Sequence, residues 1–334
     1  MENTALILGS VSISYSGVLL SLSALSGCSL FFALRRKRKN GMNGAAALCV
    51  LGLLLSVPFC RFLHWYSNSS QYPSFLSALT DYRSGGFVVL GAFGAFLLSA
   101  LLVKALGLVR DLPTLLDDLA PAGALALAVG KLSCRFSQIC RSKFSFESEK
   151  LRRLPFMISS TLSNGAEEWR IATFCLQSLA YLLICGFALW LRKRKKRAGD
   201  IFALTLSLMA AVQVVLDSTR YDAAYFRSNG FVSITQVFCV AALLAVLVVF
   251  SVRSVQSYGG VKRRHLLCWL LWAVCAGVGG YCEYYVQRHA GAFLPTYAVM
   301  ESCFLVCHIV NCVMSNSFVH RLASPLGEAV SGAD

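Results

Sequence analysis

The sequence contains about nine apolar stretches of roughly 20 residues each, and this succession constrains the fold more than any other feature. A helix of about that length crosses the hydrocarbon core of a bilayer. The chain of 334 residues is 57% hydrophobic and only 14% charged, which lies outside the range of soluble domains. We therefore predict an all-α polytopic membrane protein with spans at residues 14–34, 44–60, 86–108, 115–136, 171–191, 200–217, 231–251, 266–284 and 296–314.

Basic clusters beside these stretches predict the orientation of the chain. Residues 35–39 and 192–197 are rich in Lys and Arg, and further basic residues follow the third and seventh spans. Because such clusters stay in the cytoplasm, all of them indicate the same topology, with the N-terminus outside and the C-terminus cytoplasmic. The net charge of +15 follows this pattern, so we predict no nucleic-acid partner.

The 14 cysteines fall mostly inside the predicted spans, without a CxxC pair or a spacing typical of metal ligands. Thiols that act as small hydrophobic side chains explain most of them. The sequence predicts neither a metal nor a cofactor. Whether Cys134 and Cys140, both near the predicted outer face, form a disulfide is left open.

Several polar side chains share a depth in the outer half of the predicted bilayer. A charge inside a span is costly unless it faces a wet cavity or a partner, and Lys131 in the fourth span is the clearest case. We interpret the set as a polar cavity open to the outer leaflet. Its basic members would bind a lipid phosphate through charge-assisted hydrogen bonds. The set comprises Tyr15, Arg61, His64, Lys131, Arg135, Asp217, Arg220 and Gln236.

Simpler explanations exist for some of these groups. Asp217 and Arg220 are three residues apart and could pair on one helix face. The ammonium of Lys131 could extend toward the lipid head groups instead of facing a cavity. In the last span, Glu301 and His308 lie on one face, where hydrogen bonds between helices are a simpler role than a proton path.

Five short motifs occur in a fixed order between Tyr15 and Ser251. They are Gly85-Gly86 with Gly91, Asp117-x-x-Ala120-Pro121, Gly130-Lys131-Leu132-Ser133-Cys134, Asp217-x-x-Arg220 and Ser233-x-x-Gln236. In their order, spacing and membrane placement they resemble the motifs of the prolipoprotein diacylglyceryl transferase family. The resemblance implies a bacterial plasma (inner) membrane protein with a seven-helix core and a central cavity open to lipid.

Family members transfer the diacylglyceryl group of phosphatidylglycerol to the thiol of a lipobox cysteine in a preprolipoprotein. The resemblance therefore implies phosphatidylglycerol and a preprolipoprotein as partners, and no cofactor or metal. It suggests His64 or Asp217 as the group that removes the thiol proton. The candidates for binding substrate and phosphate are Tyr15, Arg61, Lys131, Arg220 and Gln236.

The sequence also departs from the family pattern. Leu90 stands where the family commonly has a histidine, and Gln213 stands where it has an arginine. Lys131 replaces an arginine and Asp217 a glutamate. Three functions follow from these differences: a divergent active transferase, a non-catalytic protein that binds lipid or lipoprotein, or a transferase with another acceptor.

The chain is predicted to have three parts. Residues 1–255 form the transferase-like membrane core, whose charged segment at about 137–170 predicts a small head or arm outside the membrane, with a solvated tether as the alternative. Residues 256–314 form an additional two-helix hairpin without a counterpart in the family core. Residues 315–334 contain Gly, Ser and Pro and predict a disordered cytoplasmic tail.

Overall fold

The structure is a computed structural model that describes residues 4–8, 11–36, 42–81, 86–137, 139–146, 149–161, 167–194, 197–226, 229–289 and 293–315. Its helices are α1 (Tyr15–Arg35), α2 (Met42–Ser67), α3 (Phe75–Thr80), α4 (Val89–Ala105), α5 (Leu112–Lys131), α6 (Cys134–Ser137), α7 (Glu149–Arg152), α8 (Thr173–Arg194), α9 (Asp200–Ser218), α10 (Ile234–Ser257), α11 (Arg263–Arg288) and α12 (Phe293–Met314).

Six short strands complete the described structure. They pair as three antiparallel hairpins, β1 with β2, β3 with β4 and β5 with β6. The strands are β1 (Thr4–Leu8), β2 (Val11–Ser14), β3 (Met157–Thr161), β4 (Glu167–Ile171), β5 (Tyr225–Phe226) and β6 (Asn229–Ser233).

Among the described residues, eight helices are long and apolar enough to cross a membrane. The ninth apolar helix, α4, has 17 residues, which is about the lower limit for a span. The predicted fold class is therefore confirmed, and the chain is a multi-pass membrane protein. The orientation of its termini stays a prediction.

Helix ends differ from the predicted spans at two places that matter for the site. Helix α2 continues to Ser67, beyond the predicted end at residue 60, so Arg61 and His64 belong to it. Helix α10 begins at Ile234, and the preceding residues 229–233 form β6. Periodicity alone does not separate a short apolar strand from the start of an apolar helix, which explains the second difference.

The chain forms two compact units, and each contains segments that are distant in sequence. The first unit comprises Met1–Gly186 and Thr219–Thr235, and the second comprises Phe187–Ser218 and Gln236–Asp334. The predicted boundary near residue 255 stays a prediction. Some predicted features lie outside the described residues, namely basic residues 37–39 and 195–196, Gly85, part of the head segment (residues 138, 147–148 and 162–166), and the tail from residue 316 onward.

In the first unit, small side chains bring α1 and α5 into close contact. A Cβ added to Gly27 would lie 2.8 Å from the Cβ of Ala126, so the backbones approach closely only because residue 27 is glycine. The Ser23 hydroxyl donates to the carbonyl oxygen of Ala126 at 2.6 Å. Close packing of small residues with a hydroxyl hydrogen bond is typical of helices that associate in membranes. This contact fixes the helix that ends at Lys131.

A buried ion pair joins the same two helices nearer the other end of α5. The guanidinium of Arg35, the last residue of α1, donates to Asp118 Oδ2 at 3.1 Å. Only 6% and 1% of the two side chains are exposed. The pair therefore neutralises two charges that would otherwise be uncompensated inside the protein.

The contact between α2 and α4 yields a prediction for Gly91. A Cβ added there would lie 2.5 Å from the backbone nitrogen of Cys60, so the two helices must separate to accept it. We expect Gly91→Ala to lower the free energy of unfolding by about 1–3 kcal/mol, as overpacking commonly does. Denaturant titration of the purified protein in mixed micelles measures this difference.

Gly94→Ala on the same helix is the matched control. Its Cβ would meet Phe59 Cδ1 at 3.7 Å, an ordinary van der Waals distance. Because alanine favours a helix more than glycine does, this variant should match the wild type or exceed it slightly. Equal losses of stability in the two variants would contradict the proposed backbone contact.

In the second unit, buried hydrogen bonds attach α11 and α12 to α9. Ser218 Oγ donates to Glu283 Oε2 at 2.6 Å, and the Tyr297 hydroxyl donates to the Ser218 carbonyl oxygen at 3.2 Å. About three helical turns away along α9, Ser207 Oγ lies 3.1 Å from His308 Nδ1. The hydrogen bonding between helices that the sequence predicted for His308 is confirmed.

Candidate functional site

Lys131 lies buried at the C-terminal end of α5. Only 5% of the residue is exposed, and its Nζ donates to Cys140 Sγ at 3.9 Å. The ammonium therefore faces a thiol inside the first unit. This geometry does not fit the alternative in which the Lys131 side chain extends toward the lipid head groups.

Cys140 is held in an unusual backbone conformation. Its φ is 56°, and among the residues that the structure describes it is the only non-glycine with positive φ. For an L-residue this left-handed conformation costs about 1–2 kcal/mol. The Cys140 N–H donates to both carboxylate oxygens of Asp222, each at 3.1 Å, which offsets part of that cost.

Arg220 completes the support of Cys140. Its Nε donates to Asp222 Oδ1 at 3.1 Å, and its terminal NH2 group donates to Asp222 Oδ2 at 2.9 Å. This bidentate pair orients the carboxylate that holds the Cys140 backbone. Asp222 thus links a guanidinium to the backbone amide of a cysteine.

A second thiol lies beside Cys140. Cys134 Sγ donates to Cys140 Sγ at 3.4 Å, and both cysteines are free. A disulfide requires about 2.05 Å between the sulfurs, so the pair is reduced in this structure.

The surroundings favour a negative charge on Cys140. The hydrogen bond from Cys134 lowers the pKa of the Cys140 thiol to about 6, and the charges of Lys131 and Arg220 act in the same direction against the effect of burial. A thiol with that pKa is mostly thiolate at neutral pH. Burial opposes ionisation of Asp222 too, yet Arg220 holds the pKa of that carboxyl below its ordinary value.

Backbone hydrogen bonds of the head segment position the residues around Cys140. The backbone of residues 141–143 pairs on one side with residues 219–221, through Lys143 N–H to Thr219 O at 2.8 Å and Tyr221 N–H to Arg141 O at 3.2 Å. On the other side, Ser142 N–H donates to the carbonyl oxygen of Ile171 at 2.9 Å. The segment also contains the β3–β4 hairpin, and its identity as a head stays a prediction. Its position outside the membrane stays a prediction.

Arg61 has a structural task in this fold. It is 1% exposed, and it donates to the backbone carbonyl oxygens of Ala78 and Gly86, at 2.9 Å for Nε and NH1 respectively, and to that of Asp81. Its guanidinium also lies 5.4 Å from the centre of the Phe87 ring. These contacts hold the chain between α2 and α4, and they do not support the predicted role of Arg61 in binding phosphate.

Two other predicted residues lie elsewhere in the first unit. The ring of His64 packs against Gly86, where an added Cβ would come within 2.3 Å of Nε2, and Asn68 Nδ2 lies 3.4 Å from Nδ1. Tyr15 stacks on Phe136 with 5.1 Å between the ring centres. Tyr15 therefore lies next to the segment that joins Lys131 to Cys140.

Asp217 and Arg220 do not lie on one helix face, because helix α9 ends at Ser218 and Arg220 lies beyond it. Arg220 forms an ion pair with Asp222, and a pairing of Arg220 with Asp217 stays a prediction. Asp217 and Gln236 belong to the second unit, where both are buried and Gln236 Nε2 donates to the carbonyl oxygen of Val214 at 3.3 Å. A cavity shared by all the predicted residues stays a prediction.

Cys140 and Asp222 are not among the site residues that the sequence predicts. Two signals were present: Cys140 follows Lys131 closely in a head segment rich in cations, and Asp222 lies two residues after Arg220. Within the described ranges, no group of three or more His, Cys, Asp or Glu side chains is arranged to hold a metal ion.

The family model for prolipoprotein diacylglyceryl transferase matches residues 3–252. A phosphatidylglycerol–prolipoprotein diacylglyceryl transferase of Synechococcus elongatus is 24% identical over 265 residues, which are 77% of this chain and 87% of that protein. Proteins of the same name from Geobacillus kaustophilus and Listeria monocytogenes are each 23% identical, over 79% and 60% of this chain and 96% and 73% of their own length.

Proposed function

Because the chain belongs to the prolipoprotein diacylglyceryl transferase family, we propose that it transfers a diacylglyceryl group from phosphatidylglycerol to the cysteine thiol of a prolipoprotein, as a divergent member. The observation that carries the proposal is the family match, which spans residues 3–252 and includes the buried Lys131. The shared names of the relatives support the same two substrates.

The reaction needs a cation where negative charge develops. The acceptor thiolate attacks the glycerol carbon that carries the phosphate, the carbon–oxygen bond breaks, and glycerol phosphate leaves with the bonding electrons. The departing phosphate gains negative charge in that step. A buried ammonium such as that of Lys131 stabilises this charge more effectively than an exposed one would, because water does not screen it.

The remaining roles are assigned as proposals. Arg220, Gln236 and Tyr15 are proposed to bind the substrate or its phosphate, and His64 or Asp217 to take the proton of the acceptor thiol. Arg61, with its donors directed at backbone carbonyls, acts on the site by holding the loop that carries Gly86. We further propose a bacterial inner-membrane location with the N-terminus outside and the C-terminus cytoplasmic.

A non-catalytic lipid- or lipoprotein-binding protein is the second candidate function. Two observations favour it: Leu90 offers no group that can move a proton, and the ammonium of Lys131 faces the protein's own Cys140. Such a protein would keep the cavity and its affinity for phosphatidylglycerol without the transfer step.

Complementation separates the two functions. The full chain is expressed in bacteria whose own transferase is depleted, together with a reporter prolipoprotein, and the mass of the reporter's N-terminal peptide is measured. We expect a gain of one diacylglyceryl group on the lipobox cysteine, and no gain on a reporter in which that cysteine is serine. An unmodified reporter, together with phosphatidylglycerol that co-purifies with the chain, would refute the transferase and favour the binding protein.

A further inference from the structure

The Cys134–Cys140 pair differs from other neighbouring thiols in this protein. Cys28 also hydrogen-bonds to Cys49, and Cys275 to Cys303, but those pairs lie within apolar helices. At Cys140 the neighbours are the ammonium of Lys131 and, through Asp222, the guanidinium of Arg220. All three pairs have close sulfurs, and the Cys134–Cys140 pair differs from the other two in its cationic environment.

The geometry points to a redox modification site: we propose that peroxide oxidises Cys140 first and that Cys134 then closes a disulfide with it. Oxidation by peroxide needs a thiolate and a small oxidant that can reach it. Cys140 is only 3% exposed, which excludes bulky reagents, whereas hydrogen peroxide is little larger than water. The second sulfur, 3.4 Å away, is already placed to react with the oxidised one.

The chemistry balances with hydrogen peroxide as the only added reactant. The Cys140 thiolate attacks one oxygen, the O–O bond breaks, and the hydroxide that leaves takes a proton to become water. The product is a sulfenic acid on Cys140. The sulfur of Cys134 then attacks the Cys140 sulfur, and its proton leaves with the hydroxyl group as a second water. Two thiols are oxidised to one disulfide, and one peroxide is reduced to two waters.

The groups around Cys140 all bear on its charge. Cys134 and Lys131 contact its sulfur. The charges of Arg220 and Asp222, an ion pair two residues apart in the chain, also affect its ionisation. Tyr221 lies between them in the chain and stays protonated, because burial and Asp222 raise its pKa. The two cations outweigh the one carboxylate, so Cys140 favours the thiolate form, and the sulfur that attacks peroxide is that of Cys140 and not that of Cys134.

Oxidation changes the partner of Lys131. In the reduced protein its ammonium faces a thiolate, whereas a disulfide carries no charge. Disulfide formation therefore releases the ammonium for another anion. This part of the inference rests on the proposed function, but the oxidation itself does not.

The test uses the purified full chain in detergent, treated with graded hydrogen peroxide, blocked with N-ethylmaleimide and digested for mass spectrometry. We expect a Cys134–Cys140 cross-link that is two hydrogens lighter than the two thiols, formed at least about tenfold faster than cross-links of Cys28–Cys49 or Cys275–Cys303. Similar rates for the three pairs would overturn the proposal. Because the readout is the mass of the protein's own peptides, it does not depend on transferase activity.

Variants separate the two cysteines and the cation. In Cys134→Ser, dimedone added while the peroxide-treated protein is unfolded in SDS should trap a sulfenic acid on Cys140, whereas Cys140→Ser should leave Cys134 unoxidised. Lys131→Met should slow the cross-link about tenfold, while Lys143→Met, which removes a charge from the same head segment, should not. A dimedone adduct on Cys134 in place of Cys140, or a wild-type rate in a folded Lys131→Met protein, would show that the assignment is wrong.

Discussion

Asp118→Asn is expected to lower the free energy of unfolding by about 3–5 kcal/mol, because it leaves the buried guanidinium of Arg35 without a counter-charge. Asparagine has nearly the same volume as aspartate, so packing changes little and the loss reports the charge. The pair lies between α1 and α5, with side chains that are 6% and 1% exposed. Reversible unfolding in mixed micelles, followed by circular dichroism, measures the difference.

Two further variants test whether the lost charge causes this loss of stability. Glu149→Gln removes a carboxylate from the exposed pair with Arg153, whose side chains are 79% and 80% exposed, and we expect no measurable change in stability. The double variant Arg35→Met with Asp118→Leu removes both charges, and we expect it to recover most of the loss. If the double variant is as unstable as Asp118→Asn, the charge is not the cause.

Lys131→Met is expected to reduce lipidation of a reporter prolipoprotein by about 10²- to 10³-fold, the usual effect of removing one buried group that stabilises developing negative charge. Methionine keeps most of the apolar length of lysine and removes the ammonium, with its charge and its three donors. Lys131→Arg should keep or increase the activity, because a guanidinium binds phosphate through two parallel hydrogen bonds. The rate of mass gain of the reporter in membranes with added phosphatidylglycerol gives the comparison.

The control for this experiment is Lys143→Met. Lys143 lies on the same head segment, with its ammonium 5.4 Å from the centre of the Phe144 ring. We expect its substitution to leave the rate of lipidation unchanged. Activity that survives in Lys131→Met would remove Lys131 from the phosphate site. Activity lost in both variants would indicate a general effect of charge on the head segment.

Much of the fold could be predicted from the sequence because a membrane requires long apolar helices. Each predicted span corresponds to a helix, and the errors are at the ends, where β6 precedes α10 and where α2 continues past residue 60. The β3–β4 hairpin was not predicted, because residues 157–171 are too polar and too short to show a clear alternating pattern.

Site residues could be predicted only where one residue is unusual by itself, such as a charge inside an apolar span. Lys131 stands out because a lysine in an apolar span is costly whatever surrounds it. Arg61 carries the same signal, yet its donors are directed at carbonyl oxygens of residues 78–86, which the sequence does not reveal. Cys140 carries no signal alone: its properties come from a left-handed backbone and from Asp222, which lies 82 residues later in the chain.

That separation of 82 residues between Cys140 and Asp222 also has a consequence for how the protein is made. At about 5–20 residues per second, the ribosome needs roughly 4–16 s to add Asp222 after Cys140. Until then the nascent chain lacks the carboxylate that holds the left-handed residue, and the first unit stays open. During this interval the two thiols are newly synthesised and unprotected. Whether they reach the finished protein reduced depends on the redox conditions that the nascent chain meets before synthesis delivers Asp222.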